Sequence, residues 1–425
     1  MRYDVIIVGS GPAGSSTALH LARLNPALAR RTLVLERDKH PRHKLCGGGC
    51  VPDVYACLEK LGLDAREVPQ TKASWGYLHY QGRGFRMRFF ADHSFRVVRR
   101  NEFDGWLASN VRDCGVEFKE ETRVLAVRRV ADGAEVETDR GTFTAPVVVG
   151  ADGASSLVRR AVCEGVRSSN VARLVEVLTP EAPPDPAQAL EQGASLMEFG
   201  WAPRGIQGYV WSFPTQVGGR PMRNWGVYDS RVLPKRPMGG SLRAVIAEWL
   251  AGKGHRLDDY ELEGHPIRLF DRRDRFAAPH MLLAGDAAGV DAVFGEGISP
   301  ALGYGELAAW SIDDAFARDD FSFAGYRQRV LGSPLGRSLS RRAWSARQIN
   351  RLSHPLFQKL LWWRSGPLIG WYIRHVLFNW AAPVAPPVGY GEGERALPLP
   401  LPALPATRPH FGLGRRVRSK ARRGE

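Results

Sequence analysis

The stretch "YDVIIVGSGPAG" (Tyr3–Gly14) decides the fold. Val5–Val8 are β-branched and apolar and read as a buried strand. They run straight into G-x-G-x-x-G, with Gly9, Gly11 and Gly14 at the fixed positions and Pro12 and Ala13 between the last two. "SSTALHLARL" then repeats with a helical period, and "RTLVLER" is a second strand ending at Glu36 and Arg37. Alone the glycine pattern is weak; between a strand and a helix, with an acid closing the next strand, it is a dinucleotide fingerprint. Gly9 permits the tight turn, Gly11 lets a pyrophosphate approach the backbone, and Gly14 lets helix and strand pack closely. Pro12 and Ala13 open the helix whose N-terminus attracts the phosphates. Glu36 would bond the adenosine ribose hydroxyls, with Arg37 beside it.

FAD and NAD share this fingerprint, so further signals must arbitrate. "VVVGADGASSLVRR" (Val147–Arg160) and "LLAGDAAGVDAVFGEGISPALGYGELAA" (Leu282–Ala309) each place a Gly/Asp turn after an apolar strand. Asp286, after Gly285, would reach a ribityl or ribose hydroxyl. Gly295 and Gly297, with Ile298 at the helix start, would turn backbone N–H groups toward a reduced flavin ring. Either turn alone is bland; the three in this order are specific.

The chain has 425 residues, enough for a large core as two intimate domains or one composite fold. It carries 59 Lys+Arg against 44 Asp+Glu, a net charge of +15, which favours anionic partners and says nothing about fold. Five scattered cysteines make no disulfide framework and suit a reducing cytoplasm. The apolar run before the first glycines is too short for a signal-peptide core, and no run is long enough to span a membrane.

Organisation follows from periodicity. Residues 1–165 and 270–330 read as the cofactor domain, with a β-ribbon insertion near 73–98. Residues 166–269 read as a β-sheet insert interrupted by one helix, "SLRAVIAEWLAGKG". Residues 331–380 are helical and rich in Trp and Arg. From 381 to 425 the chain is Pro-rich and then basic, the composition of a disordered tail.

With these motifs in place, the chain resembles the FAD-dependent group that includes aromatic hydroxylases, flavin halogenases and geranylgeranyl reductases. The resemblance covers roughly Tyr3 to Tyr326. It implies an α/β fold in which a Rossmann-like FAD-binding domain is interleaved with an antiparallel β-sheet substrate domain. "RNEFDGWL" is similar to the group's R-x-x-F-D-x-x-L, which implies that Arg100 contacts the cofactor. Asp152 falls in the group's D-G turn. Two features resemble the geranylgeranyl reductase branch: "KLCGGGC" (Lys44–Cys50), close to its K-P-C-G-G-G loop, and "YVWSFP" (Tyr209–Pro214), matching its Y-x-W-x-F-P. Halogenases carry W-x-W-x-I-P there. There are departures: Leu45 replaces a Pro, Ala292 another, Phe294 stands where a small polar residue is common, and Gly226-Val227-Tyr228 keeps only the first glycine of a G-x-G.

"KLCGGGC" admits three readings. A metal site needs more ligands than Cys46, Cys50 and the nearby His43. A redox disulfide of the flavin reductases needs a wider spacing and a second dinucleotide fold. The preferred reading is a loop against the flavin, with Lys44 and glycines 47, 48 and 49 at the cofactor, because any Cβ there would clash. Cys46 is a proton donor, a redox helper or an inert packing residue.

Tyr209, Trp211 and Phe213 alternate, so one strand face carries all three. They form either a sheet core or, with Phe294, the wall of an apolar substrate pocket. An isolated alkene accepts hydride poorly unless protonated first, and an aromatic face such as Trp211 stabilises the resulting cation. Tyr209, Cys46 and His43 are the candidate acids.

The resemblance implies an FAD enzyme reducing carbon–carbon double bonds of a polyprenyl or isoprenoid lipid, fed by NAD(P)H or a ferredoxin-like donor. The rivals are a monooxygenase of an apolar compound, a halogenase, and a non-catalytic lipid-binding flavoprotein. "HPLFQKLLWWRSGPLIGWYIRHVLFNW" (His354–Trp380) mixes Trp with Lys and Arg, which suits either a membrane interface or a helical cap. With the basic tail it points to a cytoplasmic chain able to sit peripherally on an anionic inner membrane face. No nucleic-acid module accompanies the tail.

Overall fold

The computed structural model describes residues 3–164, 170–181, 193–237 and 239–382. Nearly all of the expected tail, and the first residues of the 166–269 insert, lie outside them.

Val5–Val8 is the centre of a six-stranded sheet, flanked in parallel by Thr32–Leu35 and Val147–Gly150, with Met281–Leu283 beyond the latter. Each of these strands is buried throughout and, Thr32 apart, apolar, as a parallel sheet covered on both faces requires. Because they run parallel, their carboxyl ends deliver the Gly9 turn, Glu36, Ala151–Asp152 and Gly285–Asp286 to one edge. Ligands bind at that edge in such folds. The Pro12–Leu24 helix packs against Ile298–Arg318 so closely that a Cβ at Gly305 would stand 2.4 Å from the Ser16 side chain.

The second sheet has seven strands, ordered Glu263–Arg268, Val171–Pro180, Arg220–Asp229, Gly208–Val217, Ser195–Glu198, Gly76–Tyr80 and Arg83–Met87. All pairs are antiparallel except Ser195–Glu198 with Gly76–Tyr80. The expected 73–98 ribbon is therefore divided. One hairpin extends the large sheet, while Gln70–Ala73 and Phe95–Val98 join Gly49–Cys50 in a small sheet of their own. Alternation reveals a strand but not its partner, so the sequence could not show this division.

The two faces of the large sheet have different work. Val177, Val210, Trp225 and Val227 pack under the Leu242–Ala251 helix. Tyr209, Trp211, Phe213 and Tyr228 face the main core. After the Pro334–Arg351 helix, the chain runs through short helices at Pro355–Lys359 and Gly366–Tyr372 and π-helical turns at Leu360–Arg364 and Ile373–Leu377. This segment forms a helical cap over the sheet and also leaves large apolar side chains exposed. Trp362 is buried and stacked on Phe199 at 4.0 Å, and Trp363 donates to the Tyr80 carbonyl at 2.8 Å, capping the sheet edge. Leu356, Leu360, Leu368 and Trp371 point outward and are exposed. No described helix is long and apolar enough to cross a membrane.

Candidate functional site

A single cavity of about 540 Å³ runs from the glycine-rich turn to the aromatic face of the large sheet. At the first end, Gly9 has φ +95°, and a Cβ there would stand 2.4 Å from the Ala151 carbonyl oxygen. A Cβ on Gly14 would fall 1.9 Å from the Gly9 carbonyl. The two glycines are thus required by the turn itself. Gly11 is different: the nearest groups over it are the guanidiniums of Arg42 and Arg100, 3.6 and 3.9 Å from where its Cβ would be. Two cations over bare backbone at a helix N-terminus can seat a diphosphate.

Those cations are held by one carboxylate. Arg100 donates from Nε and Nη2 to Asp104 at 2.7 and 2.8 Å, and Arg42 Nη2 stands 3.3 Å from the same group. Asp104 is fully buried. Arg42 also reaches Glu36 at 3.3 Å. Glu36 Oε2 accepts from Ser10 Oγ at 2.6 Å, and Oε1 accepts from the Asp38 N–H at 3.1 Å. Burial alone would raise the Glu36 carboxyl, but Arg42 and these donors hold it below the usual range. Arg37 lines the same end, with its side chain mostly in solvent and paired to Asp38.

Asp152 divides its labour. Oδ2 accepts from the Leu157 N–H at 2.7 Å, capping a short helix, while Oδ1 is buried without a partner and the residue lines the cavity. An orphaned buried acceptor beside a diphosphate seat fits a hydroxyl-rich ligand.

In the middle, Lys44, Cys46, Asp286 and His265 meet. Burial drives the Lys44 ammonium down to about 8, opposed chiefly by Asp286. Lys44 contacts His265 Nε2, and burial followed by Lys44 drives that imidazole down to about 3. Asp286 Oδ1 lies 3.5 Å from the Cβ position of Gly297, which caps the Ile298–Arg318 helix. Gly295, at φ +65°, abuts the Tyr228 ring.

Gly47, Gly48 and Gly49 all line the cavity, and protein neighbours crowd each of them. Gly48 has φ +74°, and its Cβ would be 2.1 Å from the Val98 carbonyl. Gly47 rests against Trp211 and Phe213, and Gly49 against Phe95. Protein neighbours already demand small residues here. Cys46 Sγ accepts from the Gly48 N–H at 3.3 Å. Cys50 is buried and its thiol pushed well up by burial, so it is inert.

The far end is apolar: Met87, Phe95, Met197, Trp211, Phe213 and Phe294 line it, with Ile373 and Phe378 from the C-terminal helices. Tyr209 is there too, but its hydroxyl donates to the Phe294 carbonyl at 2.5 Å, and burial raises it far above its ordinary value. That disfavours it as a proton donor. His43 is exposed, pairs with Glu263 at 2.8 Å and does not line the cavity. The structure thus gathers every expected cofactor and substrate residue into one cavity except Gly14, which packs behind the Gly9 turn, and it leaves out His43.

Sequence reasoning missed Arg42, Asp104, Tyr228 and His265. It also missed Glu176, buried on Val171–Pro180, which takes bonds from the Cys46 backbone and the Asn224 side chain; burial pushes it up to about 7. Asn224 in turn accepts from Trp211 Nε1 at 2.7 Å. Asp104 is the aspartate of "RNEFDGWL", one turn from Arg100.

Residues 2–295 match the FAD binding domain family. The chain belongs to that family. FAD is its cofactor, and it is an FAD-dependent oxidoreductase. Among curated proteins, it is 29% identical over 333 residues to a menaquinone reductase of Mycolicibacterium smegmatis, covering 72% of this chain and 76% of that one. It is 27% identical to the protein FixC of Escherichia coli K12, covering 78% and 82%. Among solved structures, a geranylgeranyl bacteriochlorophyll reductase-like protein of Thermoplasma acidophilum superposes with a TM-score of 0.71 at 19% identity, covering 88% of this chain and 96% of that one. The halogenase PltM, solved with FAD, gives 0.61 at 16%, covering 83% and 76%. These last two likenesses concern the fold alone.

Proposed function

We propose that this FAD-dependent oxidoreductase reduces a carbon–carbon double bond in the polyprenyl chain of an isoprenoid lipid. The carrying observation is the cavity's shape and chemistry: a charged, diphosphate-seating end continuous with an aromatic and thioether end. The similarity to a menaquinone reductase supports a lipid of prenylated-quinone type as the first class to try. Bound and reduced, FAD supplies the hydride equivalent that such a reduction consumes. The chain's own part begins with Arg42, Arg100 and the Gly11 backbone, which hold the cofactor's diphosphate. Phe213, Met197 and Phe294 exclude water and align the prenyl chain. Trp211 offers its ring face to a tertiary cation formed when the alkene takes a proton. Cys46 is the proton donor retained, since Tyr209 is tied to Phe294 and His43 lies outside. Donor and product balance as one proton and one hydride added across the double bond.

An external donor, NAD(P)H or a ferredoxin-like carrier, would reduce the flavin. The exposed Leu356, Leu360, Leu368 and Trp371, among Lys359, Arg364 and Arg374, support peripheral contact with an anionic membrane.

The test is anaerobic. The FAD-loaded protein is reduced with dithionite, freed of excess reductant and given menaquinone or a geranylgeranyl lipid. Reoxidation without oxygen, with two hydrogens of mass gained in the prenyl chain, is the expected result. A flavin that stays reduced until air enters, followed by an oxygenated product, would replace this reading with a monooxygenase.

A further inference from the structure

Apart from the FAD cavity, a groove opens between the Asp271–Arg273 loop, the Tyr326–Gly332 helix and the Pro334–Arg351 helix. Five arginines line it: Arg272, Arg273, Arg327, Arg347 and Arg351. One carboxylate faces them. Asp271 Oδ2 accepts from Asn170 Nδ2 at 3.1 Å and Arg347 Nη2 at 3.3 Å, and Oδ1 accepts from the Arg273 N–H at 3.0 Å. Arg327 Nη2 donates to the Arg272 carbonyl at 2.6 Å. Among the described residues, the side chains of Arg272, Arg273 and Arg351 have no carboxylate within ion-pair distance.

A solvated helix face spaces its cations along one element or pairs them at one-turn intervals. Here three separate segments bring five arginines to one concavity, which Ser340 and Ala343 also line. Like charges held together repel, and the cost is offset when an anion enters. Arginine forks match phosphate oxygens two at a time, and several forks around one groove match linked phosphates better than a single carboxylate.

We propose that this groove binds a small anion carrying two or more linked phosphates. The groove leans on the flavin-side loop: Phe270, next to Asp271, donates its N–H to the Val290 carbonyl at 2.9 Å, and Val290 lines the FAD cavity. Five residues before Arg347 on the same helix, Arg342 reaches Asp291 and Glu296 at 3.5 and 3.3 Å. An occupant therefore touches two elements that shape the cofactor site.

The inference stands whether or not the isoprenoid reading holds, because its test needs no turnover. The FAD-loaded full chain is titrated calorimetrically with inorganic pyrophosphate at about 0.1 M salt, so that the cofactor's own diphosphate seat is filled. One saturable equivalent is expected. Arg273→Glu and Arg351→Glu should each weaken it by about tenfold or more, and Arg351→Gln by less. Arg220→Glu, on the exposed hairpin of the large sheet, changes net charge equally and should leave it intact. Non-saturating binding, equal losses in Arg220→Glu, or binding of an acidic protein but not of pyrophosphate would overturn the proposal. Retained flavin and an unchanged melting temperature show that the variants are folded.

Discussion

The indole of Trp211 fills the space that a side chain at residue 226 would need: a Cβ on Gly226 would stand 2.1 Å from Trp211 Cζ2. The two residues are cross-strand partners in the large sheet. Gly226 is the glycine that survives from the departing G-x-G, and its neighbour's ring explains why. Backbone blocks the other side, with the Val175 carbonyl 2.5 Å from the same point. Gly226→Ala must therefore move either Trp211 or the strand, at about 1–3 kcal/mol. The expected variant keeps its flavin, melts earlier and loses lipid turnover. Unchanged stability and turnover would show that the ring has room to swing away.

Arg100 and Asp104 are a turn apart on one helix, and Asp104 fixes the guanidinium that the proposed diphosphate seat needs. Arg100→Gln removes a charge-assisted contact and should weaken FAD binding by about tenfold to a hundredfold. The check is fluorescence titration of the deflavinated variant. Arg100→Lys should recover part of the loss, as a point charge without the fork. An affinity equal to wild type would remove Arg100 from the diphosphate seat.

What was legible in the sequence follows the range of each signal. Val5–Gly14 announced strand, turn and helix because those signals are local, and the order of the three turns announced the shared sheet edge. The pairing of Gly76–Tyr80 with Ser195–Glu198 was invisible, since alternation carries no partner label. Tyr209 looked like an acid because it is a phenol on the right face; only the fold places its hydroxyl against the Phe294 carbonyl. Glu176 looked like any strand acid. Its importance comes from burial behind Cys46 and Asn224, which no spacing encodes. The glycines of "KLCGGGC" mark a loop, but that Gly48 stands against the Val98 carbonyl is visible only in the fold.

Two substitutions separate the acid candidates. Tyr209→Phe deletes a hydroxyl that donates to a carbonyl, so turnover should fall less than about threefold while stability drops by about 1 kcal/mol. Cys46→Ser raises the ordinary proton affinity of the donor and should cost about a hundredfold or more in turnover of an alkene, with FAD affinity unchanged. Rapid-mixing reoxidation of the reduced flavin by lipid reads both. The reverse ranking would restore Tyr209 and retire Cys46.

Leu368 and Trp371 are 66% and 56% exposed on the segment whose Ile373 lines the cavity. If that face enters a bilayer interface, Leu368→Glu with Trp371→Glu should lower binding to vesicles containing phosphatidylglycerol by about tenfold or more. Flavin content should not change, because neither side chain touches the FAD end. Equal sedimentation of wild type and variant with vesicles would move the membrane contact elsewhere.

Glu176 ties stability to pH. Burial raises its carboxyl from the ordinary 4.5 to about 7 in the folded chain. Between those values the folded form holds a proton that the unfolded form has released. Stability therefore falls as pH rises through that window and levels off above it. The integrated effect is about 3 kcal/mol. Glu176→Gln keeps the shape and cannot ionise, so it should be the more stable form at about pH 8 by up to that amount. Near pH 4, where both forms are neutral, the two should differ little. Urea denaturation of the FAD-loaded proteins across this range makes the comparison. Parallel stability curves would mean that Glu176 ionises in place, with Arg99 and the Cys46 backbone compensating its charge.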